Sequence, residues 1–218
     1  GKRYHTVCAA TADGELKFEP KCNRNEVRAM AVFGDGSPRP STTMIKEKTT
    51  GPYKVGDYYN DGTIDGIVAE VSGKGYHGKV ISLRTPLMPL AWTVYDEYRR
   101  HIGAGSKTDG IKGMRAVTDT GADWRARYHA FRWCADLGQG WYLPSRKELL
   151  SIYENKVILN SALTEMTGTA LNGIYWSSSE SNRKIEDCYL AWSVNLDDGT
   201  TEEKYKFNEY NICAIHLF

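Results

Sequence analysis

The chain has no C-x-x-C cysteine pair, no H-E-x-x-H, no G-x-S-x-G and no P-loop. The local signatures of a zinc ribbon, a thioredoxin-like redox pair, a zincin, a serine hydrolase and a nucleotide-binding loop are therefore missing. An excess of one charge is missing too. Twenty-eight Lys and Arg face 27 Asp and Glu over 218 residues, a net charge of +1, which sets up no long-range field for polyphosphate and argues against nucleic acid as a partner. No apolar run approaches the ~20 residues of a bilayer-spanning helix. The chain opens Gly1-Lys2-Arg3-Tyr4 with no signal peptide, so an exported form is expected to carry its signal or lipid anchor upstream.

What is present suits a globular, exported protein. A hydrophobic fraction of 41% and a charged fraction of 25% allow a core of ordinary size. Fourteen tyrosines and six tryptophans, with many Gly, Ser, Thr and Asn, are typical of β-rich, ligand-facing domains. The five cysteines, Cys8, Cys22, Cys134, Cys188 and Cys213, leave at least one unpaired if the others bond.

Residues 1–51 read as a small β appendage or linker. Stretches 3–9, 26–33 and 42–45 are compatible with strands, and Gly34-Asp35-Gly36-Ser37-Pro38 is turn chemistry. From residue 52 the pattern is that of a second, larger domain, 52–218. Residues 64–71 and 79–83 read as paired strands, 92–101 as a short helix and 103–119 as a polar, Gly-rich loop. Trp124, Tyr128, Phe131, Cys134 and Ala135 fall on one face of a first main helix, with Gly138 at its C-terminal end. Ser145 and Glu148 are spaced as a capping box at the start of a second, whose apolar stripe runs through Leu149, Ile152, Tyr153 and Val157; a shorter helix is expected around 161–166. Residues 189–196 alternate apolar and polar, Asp198-Gly199 signals a hairpin, and a last strand spans about 211–218. Strands, then helices, then an antiparallel meander give an α+β class.

The strings Phe131-Arg132-Trp133-Cys134, Gly140-Trp141-Tyr142-Leu143-Pro144-Ser145, Glu148-Leu149, Tyr175-Trp176-Ser177-Ser178-Ser179-Glu180 and Ala191-Trp192-Ser193-Val194-Asn195 together resemble one bacterial family. It is the family typified by the C-terminal domain of the Lcl collagen-like adhesin. The opening Tyr53-Lys54-Val55-Gly56-Asp57-Tyr58-Tyr59-Asn60-Asp61-Gly62 and the closing Ile212-Cys213-Ala214-Ile215 extend the likeness from about residue 52 to 218. Residues 26–31 with the turn after them resemble the last strands of a fibronectin type III-like domain.

The resemblance implies a C-type-lectin-like fold, two main helices packed on a twisted antiparallel sheet whose first and last strands pair. It also implies a disulfide between the first helix and the last strand, here Cys134 and Cys213. That bond would close a loop of 80 residues, worth about 4–5 kcal/mol in the chain-entropy model. Cys8 and Cys22 can then pair with each other, leaving Cys188 alone. The Glu-Pro-Asn and Trp-Asn-Asp motifs of calcium-dependent sugar-binding lectins do not occur here, so calcium-bridged sugar binding is not expected.

Other motifs have plainer readings. Gly73-Lys74-Gly75-Tyr76-His77-Gly78 fits G-x-G-x-x-G literally, but a strand follows where a phosphate-binding helix is required, so it reads as a hairpin turn. Asp61-Gly62-Thr63-Ile64-Asp65 resembles the start of a calcium loop, yet Ser72 stands where the twelfth-position acid belongs. The five histidines are scattered, and His129 and His216 read as structural. Trp133, Trp141, Trp176 and Trp192 are assigned to the core. The fold's distant kinship with formylglycine-generating oxidases raises a catalytic thiol, but a disulfide would consume both candidates.

The expected function is therefore a non-catalytic module on the bacterial surface, for adhesion or binding, recognising a glycan or a host or partner protein, with no cofactor and no metal. A structural tip or stalk role is the alternative. The candidate ligand-binding residues are Glu180, Asn182, Arg183 and Lys184 in a polar stretch at 180–187, Asp197 and Asp198 in the hairpin turn, and Asn208 and Tyr210 beside the same sheet.

Overall fold

The computed structural model describes residues 48–218 except Gly168, Glu186 and Asp187, and the strands at 6–10 and 16–20 by backbone alone, as also at Ile185 and Cys188. The chain forms two compact units, Gly1–Ile45 and Lys46–Phe218, so the division falls six residues before the Gly51-Pro52 break. In the first unit β1 (Thr6–Ala10) and β2 (Leu16–Pro20) pair antiparallel with Cys8 opposite Phe18. The strands expected at 26–33 and 42–45, and Cys22, lie outside the described residues, as does the Cys8 side chain, so the Cys8–Cys22 pairing does too.

The second unit is α+β. Its first sheet has the order β11-β5-β4-β3, all antiparallel: β3 (Tyr58–Asn60), β4 (Asp65–Ser72), β5 (His77–Ser82) and β11 (Ile215–Leu217). Within the glycine run, residues 73–76 form the β4–β5 turn while His77 and Gly78 already pair in β5, and Asp61 caps its own turn by accepting from Thr63 N (2.7 Å) and Ile64 N (2.9 Å). A second antiparallel sheet joins β7 (Ile174–Ile185), β8 (Cys188–Asn195) and β9 (Thr201–Tyr205). A short ladder pairs β6 (Leu90–Ala91) with β10 (Glu209–Tyr210). The final strand is shorter than the 211–218 expected. β11 pairs with β5 and lies at the opposite edge of the sheet from β3, so the first and last strands do not pair as the resemblance implied. The end of the unit still meets its start, because Phe218 exchanges backbone hydrogen bonds with Gly78 at 3.1 Å and its ring packs on Tyr53 (5.4 Å) and Tyr59 (4.6 Å).

Five helices occur among the described residues: α1 (Gly110–Thr118), α2 (Trp124–Arg127), α3 (His129–Asp136), α4 (Arg146–Glu154) and α5 (Lys156–Thr167). The capping box at the start of α4 forms, with Ser145 Oγ accepting from Glu148 N and the Glu148 carboxylate accepting from Ser145 N. Elsewhere tertiary packing overrides local pattern. The segment read as a polar loop contains α1, because its glycines serve packing. A Cβ at Gly110 would lie 2.4 Å from Leu143 O, and one at Gly113 would lie 2.7 Å from Ser178 Cβ. The expected first helix breaks at Tyr128 (φ −114°, ψ 81°) into α2 and α3, and the Arg127 carbonyl instead accepts from Val94 N (2.8 Å) and Thr93 Oγ1 (2.9 Å). The helix expected at 92–101 reduces to one 3-10 turn, Tyr95–Glu97. Val157 does not extend the α4 stripe; it sits on α5, 85% exposed.

Two clusters make the core. One gathers Trp92, Tyr128, Phe131, Cys134 and Trp176; the other gathers Ile67, Ile81, Leu149, Leu159, Val194, Cys213 and Ile215. Trp92 meets Tyr128 (5.8 Å) and Phe131 (4.8 Å) edge to face, contacts worth about 0.5–1.5 kcal/mol each beyond area burial.

Candidate ligand-binding face

The stretch Ser177-Ser178-Ser179-Glu180 lies inside β7, where the β7–β8 register shifts between Trp176 and Glu180 and again between Glu180 and Lys184. Such bulges free backbone groups from the ladder and bend the strand. Here the freed groups bind the surrounding chain: Ser178 N donates to Pro144 O (2.8 Å), Glu180 N to Ala104 O (2.7 Å), and Trp92 Nε1 to Ser177 O (3.0 Å). Two of the three serine hydroxyls do the same, Ser177 Oγ to Trp192 O and Ser179 Oγ to Ser106 O, each at 2.7 Å. Small side chains are required because α1 packs directly against this segment.

Glu180 is not a surface ligand contact. It is 1% exposed, and its carboxylate accepts from Ile102 N (3.1 Å), Gly103 N (3.0 Å) and Ala104 N (3.2 Å). It is also ion-paired to Lys206 Nζ, which donates in addition to Arg100 O (2.8 Å) and lies 4.7 Å from the centre of the Trp92 ring. His101 Nε2 stands 3.4 Å from the same carboxylate. Burial pulls the Lys206 ammonium below its ordinary range, and Glu180 offsets part of that. The arrangement ties the 100–106 loop to β7 and to Lys206, the residue that follows β9.

Beyond this anchor, residues 180–185 continue as strand rather than loop, and they carry Asn182, Arg183 and Lys184 outward as exposed side chains. Across β8 the indole of Trp192 is half-buried, which corrects its assignment to the core; Trp133 is likewise only partly buried, while Trp141 and Trp176 are buried. The Arg146 guanidinium, at the first position of α4, lies 4.4 Å over the Trp192 ring, and Lys107 Nζ lies 5.8 Å from it. Neither cation has a carboxylate partner among the described residues. Opposite Trp192 on β9 is Glu203, which holds Ser181 Oγ and, at 3.4 Å, Arg183. A Cβ added at Gly105 would lie 3.6 Å from Asn182 Oδ1, so the amide borders the loop. An amphipathic ring, uncompensated cations and an exposed amide thus share one surface held by a rigid sheet.

The remaining four candidates stand elsewhere. Asp197 and Asp198 occupy the β8–β9 turn. Asp197 accepts from Gly173 N (3.0 Å) and pairs with Lys156 (3.1 Å), while Asp198 accepts from Thr200 N (2.9 Å) and Oγ1 (2.7 Å). These donors hold both carboxyls below their ordinary range, the Gly173 and Thr200 backbone groups first. Asn208 and Tyr210 buttress the core: Trp176 Nε1 donates to Asn208 O (3.0 Å), and the Tyr210 ring packs 4.9 Å from that of Trp176. Sequence reasoning missed Lys107 and Arg146. The only local mark on Arg146 is its place just after a capping serine, which says nothing of a ring one sheet away.

Cys134 and Cys213 meet, but not as a disulfide. Both are free, buried thiols, with Cys134 Sγ 3.8 Å from Cys213 O. Burial drives the Cys134 thiol upward and pushes that of Cys213 up to about 12. Both are therefore protonated at neutral pH, the unreactive form. The Cys188 side chain lies outside the described residues. No group of three or more His, Cys, Asp or Glu among the described residues is placed to hold a metal ion, and no helix among them is long and apolar enough to cross a membrane. No protein-family model matches the chain, and no curated protein matches it.

Proposed function

We propose that the chain is an exported bacterial surface module with a C-type-lectin-like body, akin to the Lcl-adhesin C-terminal domain family, that binds a glycan through the Trp192 face without catalysis. One observation carries this reading: a half-buried indole beside two unpaired cations, Arg146 and Lys107, with Asn182 and Arg183 exposed along the adjoining strand. Indole faces stack on the apolar faces of sugar rings, while guanidinium and amide groups satisfy hydroxyl and acidic substituents. The lectin-like reading draws further support from helices packed on antiparallel sheets and from the packing of Phe218 on Tyr53, which brings the ends of the unit together without pairing its first and last strands. The protonated, buried thiols weigh against the oxidase reading. Localisation at the cell surface, through a signal or lipoprotein anchor supplied upstream, rests on the family resemblance and the aromatic-rich composition.

The test is a glycan array and an immobilised host-matrix assay run on the full chain and on Trp192→Ala and Arg146→Gln. Saturable glycan binding that falls about thirtyfold in Trp192→Ala, ~2 kcal/mol, with an unchanged melting temperature, is expected. Saturable binding to a matrix protein but to no glycan would move the ligand to the protein class. Binding that Trp192→Ala and Arg146→Gln leave intact would remove this face from the function.

A further inference from the structure

A concavity lies between α1 and the segment running from α2 to Tyr142. Its volume is about 590 Å³, within the ~300–1,000 Å³ range of small-molecule sites. Ile111, Met114, Trp124 and Trp141 supply its apolar lining, and Arg115 and Arg125 its charge. It shares no residue with the Trp192 face. Ile111 is 36% exposed and lies on the helix side that lines the groove.

The two arginines differ. Arg125 is bonded to Asp136, which Arg132 also approaches at 3.8 Å, and it stacks on the Trp124 ring at 4.7 Å. Arg115, four residues along α1 from Ile111, has no carboxylate within salt-bridge distance among the described residues. The groove therefore combines an apolar wall with one uncompensated guanidinium at its rim. A polyanion would ask for several free cations, and Arg115 is the one guanidinium of the lining without a carboxylate among the described residues. The complementary ligand has one negative charge and an apolar body.

We propose that this groove binds a small amphipathic monocarboxylate, its aryl or alkyl body against Ile111, Met114 and Trp124 and its carboxylate paired with Arg115. The proposal is independent of the glycan reading, since either can fail alone.

Three probes separate the contributions: 2-naphthoate, its neutral isostere 2-naphthamide, and glucuronate, which has the carboxylate without the apolar body. Binding to the full chain is followed by tryptophan fluorescence and by saturation-transfer NMR. The expected result is saturable binding of 2-naphthoate, roughly tenfold weaker binding of the amide, and still weaker binding of glucuronate, because a charge-assisted bond and apolar contact are both needed. Arg115→Gln, an exposed position on α1, is expected to reduce naphthoate affinity about tenfold, and Ile111→Glu to abolish it. Trp192→Ala is expected to leave it unchanged. Equal affinity for acid and amide, glucuronate binding tighter than naphthoate, no effect of Arg115→Gln, or no saturable binding by any probe each overturns the proposal.

Discussion

Glu148 and Glu180 are both buried carboxylates, 6% and 1% exposed, and both are held by backbone N–H groups and a lysine. Glu148 accepts from Ser145 N (2.7 Å) and Gly110 N (3.0 Å), from Tyr142 OH (3.0 Å), and pairs with Lys79 (3.2 Å). Glu180 accepts from three consecutive N–H groups and pairs with Lys206. The difference lies in where the partners come from and how wet they are. Glu148 begins with a partner three residues away and ends on a lysine that is 20% exposed and shared with Glu70. Glu180 draws every donor from at least 26 residues away, onto a lysine with no exposure at all. The same chemistry thus serves in one place as a local cap that also reaches Gly110 and Lys79, and in the other as a tie made wholly of distant partners. A carboxylate's role follows from its surroundings rather than from the polarity of its neighbours in sequence.

That contrast makes graded predictions. Glu180→Ala leaves a fully buried ammonium without its counter-charge and three N–H groups without an acceptor, so it should cost about 3–5 kcal/mol in chemical denaturation. Glu148→Ala removes the capping box and the bond to Gly110, but Lys79 keeps Glu70, so its cost should be about 2 kcal/mol. Equal losses would break the distinction between tie and cap.

The two lysines should also answer pH in opposite directions. Lys206 is depressed below 10.5 by burial, so between its folded pKa and 10.5 the unfolded chain holds more protons at that site. Its contribution to stability then rises with pH across that window. Burial works against the Lys79 ammonium too, but Glu70 and Glu148 raise it above 10.5. Its contribution is complete below 10.5 and is lost as pH climbs through the folded pKa. Denaturation of Lys206→Met and Lys79→Met against the parent over this range should show differences of opposite slope. Parallel curves would show that the two sites share one electrostatic character. The smallest effect belongs to Asp197→Asn in the exposed turn, whose denaturation midpoint at neutral pH is expected to stay close to that of the parent.

The α4 cap, the β4–β5 hairpin and the β8–β9 turn were legible in sequence because each is set by residues a few positions apart. The α1 helix was not, since Gly110 and Gly113 resemble loop glycines until Leu143 and Ser178 are seen against them. The polar run from Glu180 looked like a loop because alternation cannot show that a bulge has turned one of its residues inward. Trp192 looked like core for the related reason that its neighbours Leu190 and Val194 are core. The candidate face was half legible: Asn182, Arg183 and Lys184 were found, while Lys107 and Arg146 arrive from loops and helices distant in sequence, and no spacing announces them.

Tyr53 and Phe218 touch, and this has a mechanical meaning. A pull applied through these two residues enters and leaves the unit at nearly one point. The load would fall on the bonds between β11 and β5, opened one after another, while α4, β7 and the Trp192 surface hang beside the line of force. Such a unit would keep the Trp192 surface undistorted under shear until that clasp gives way.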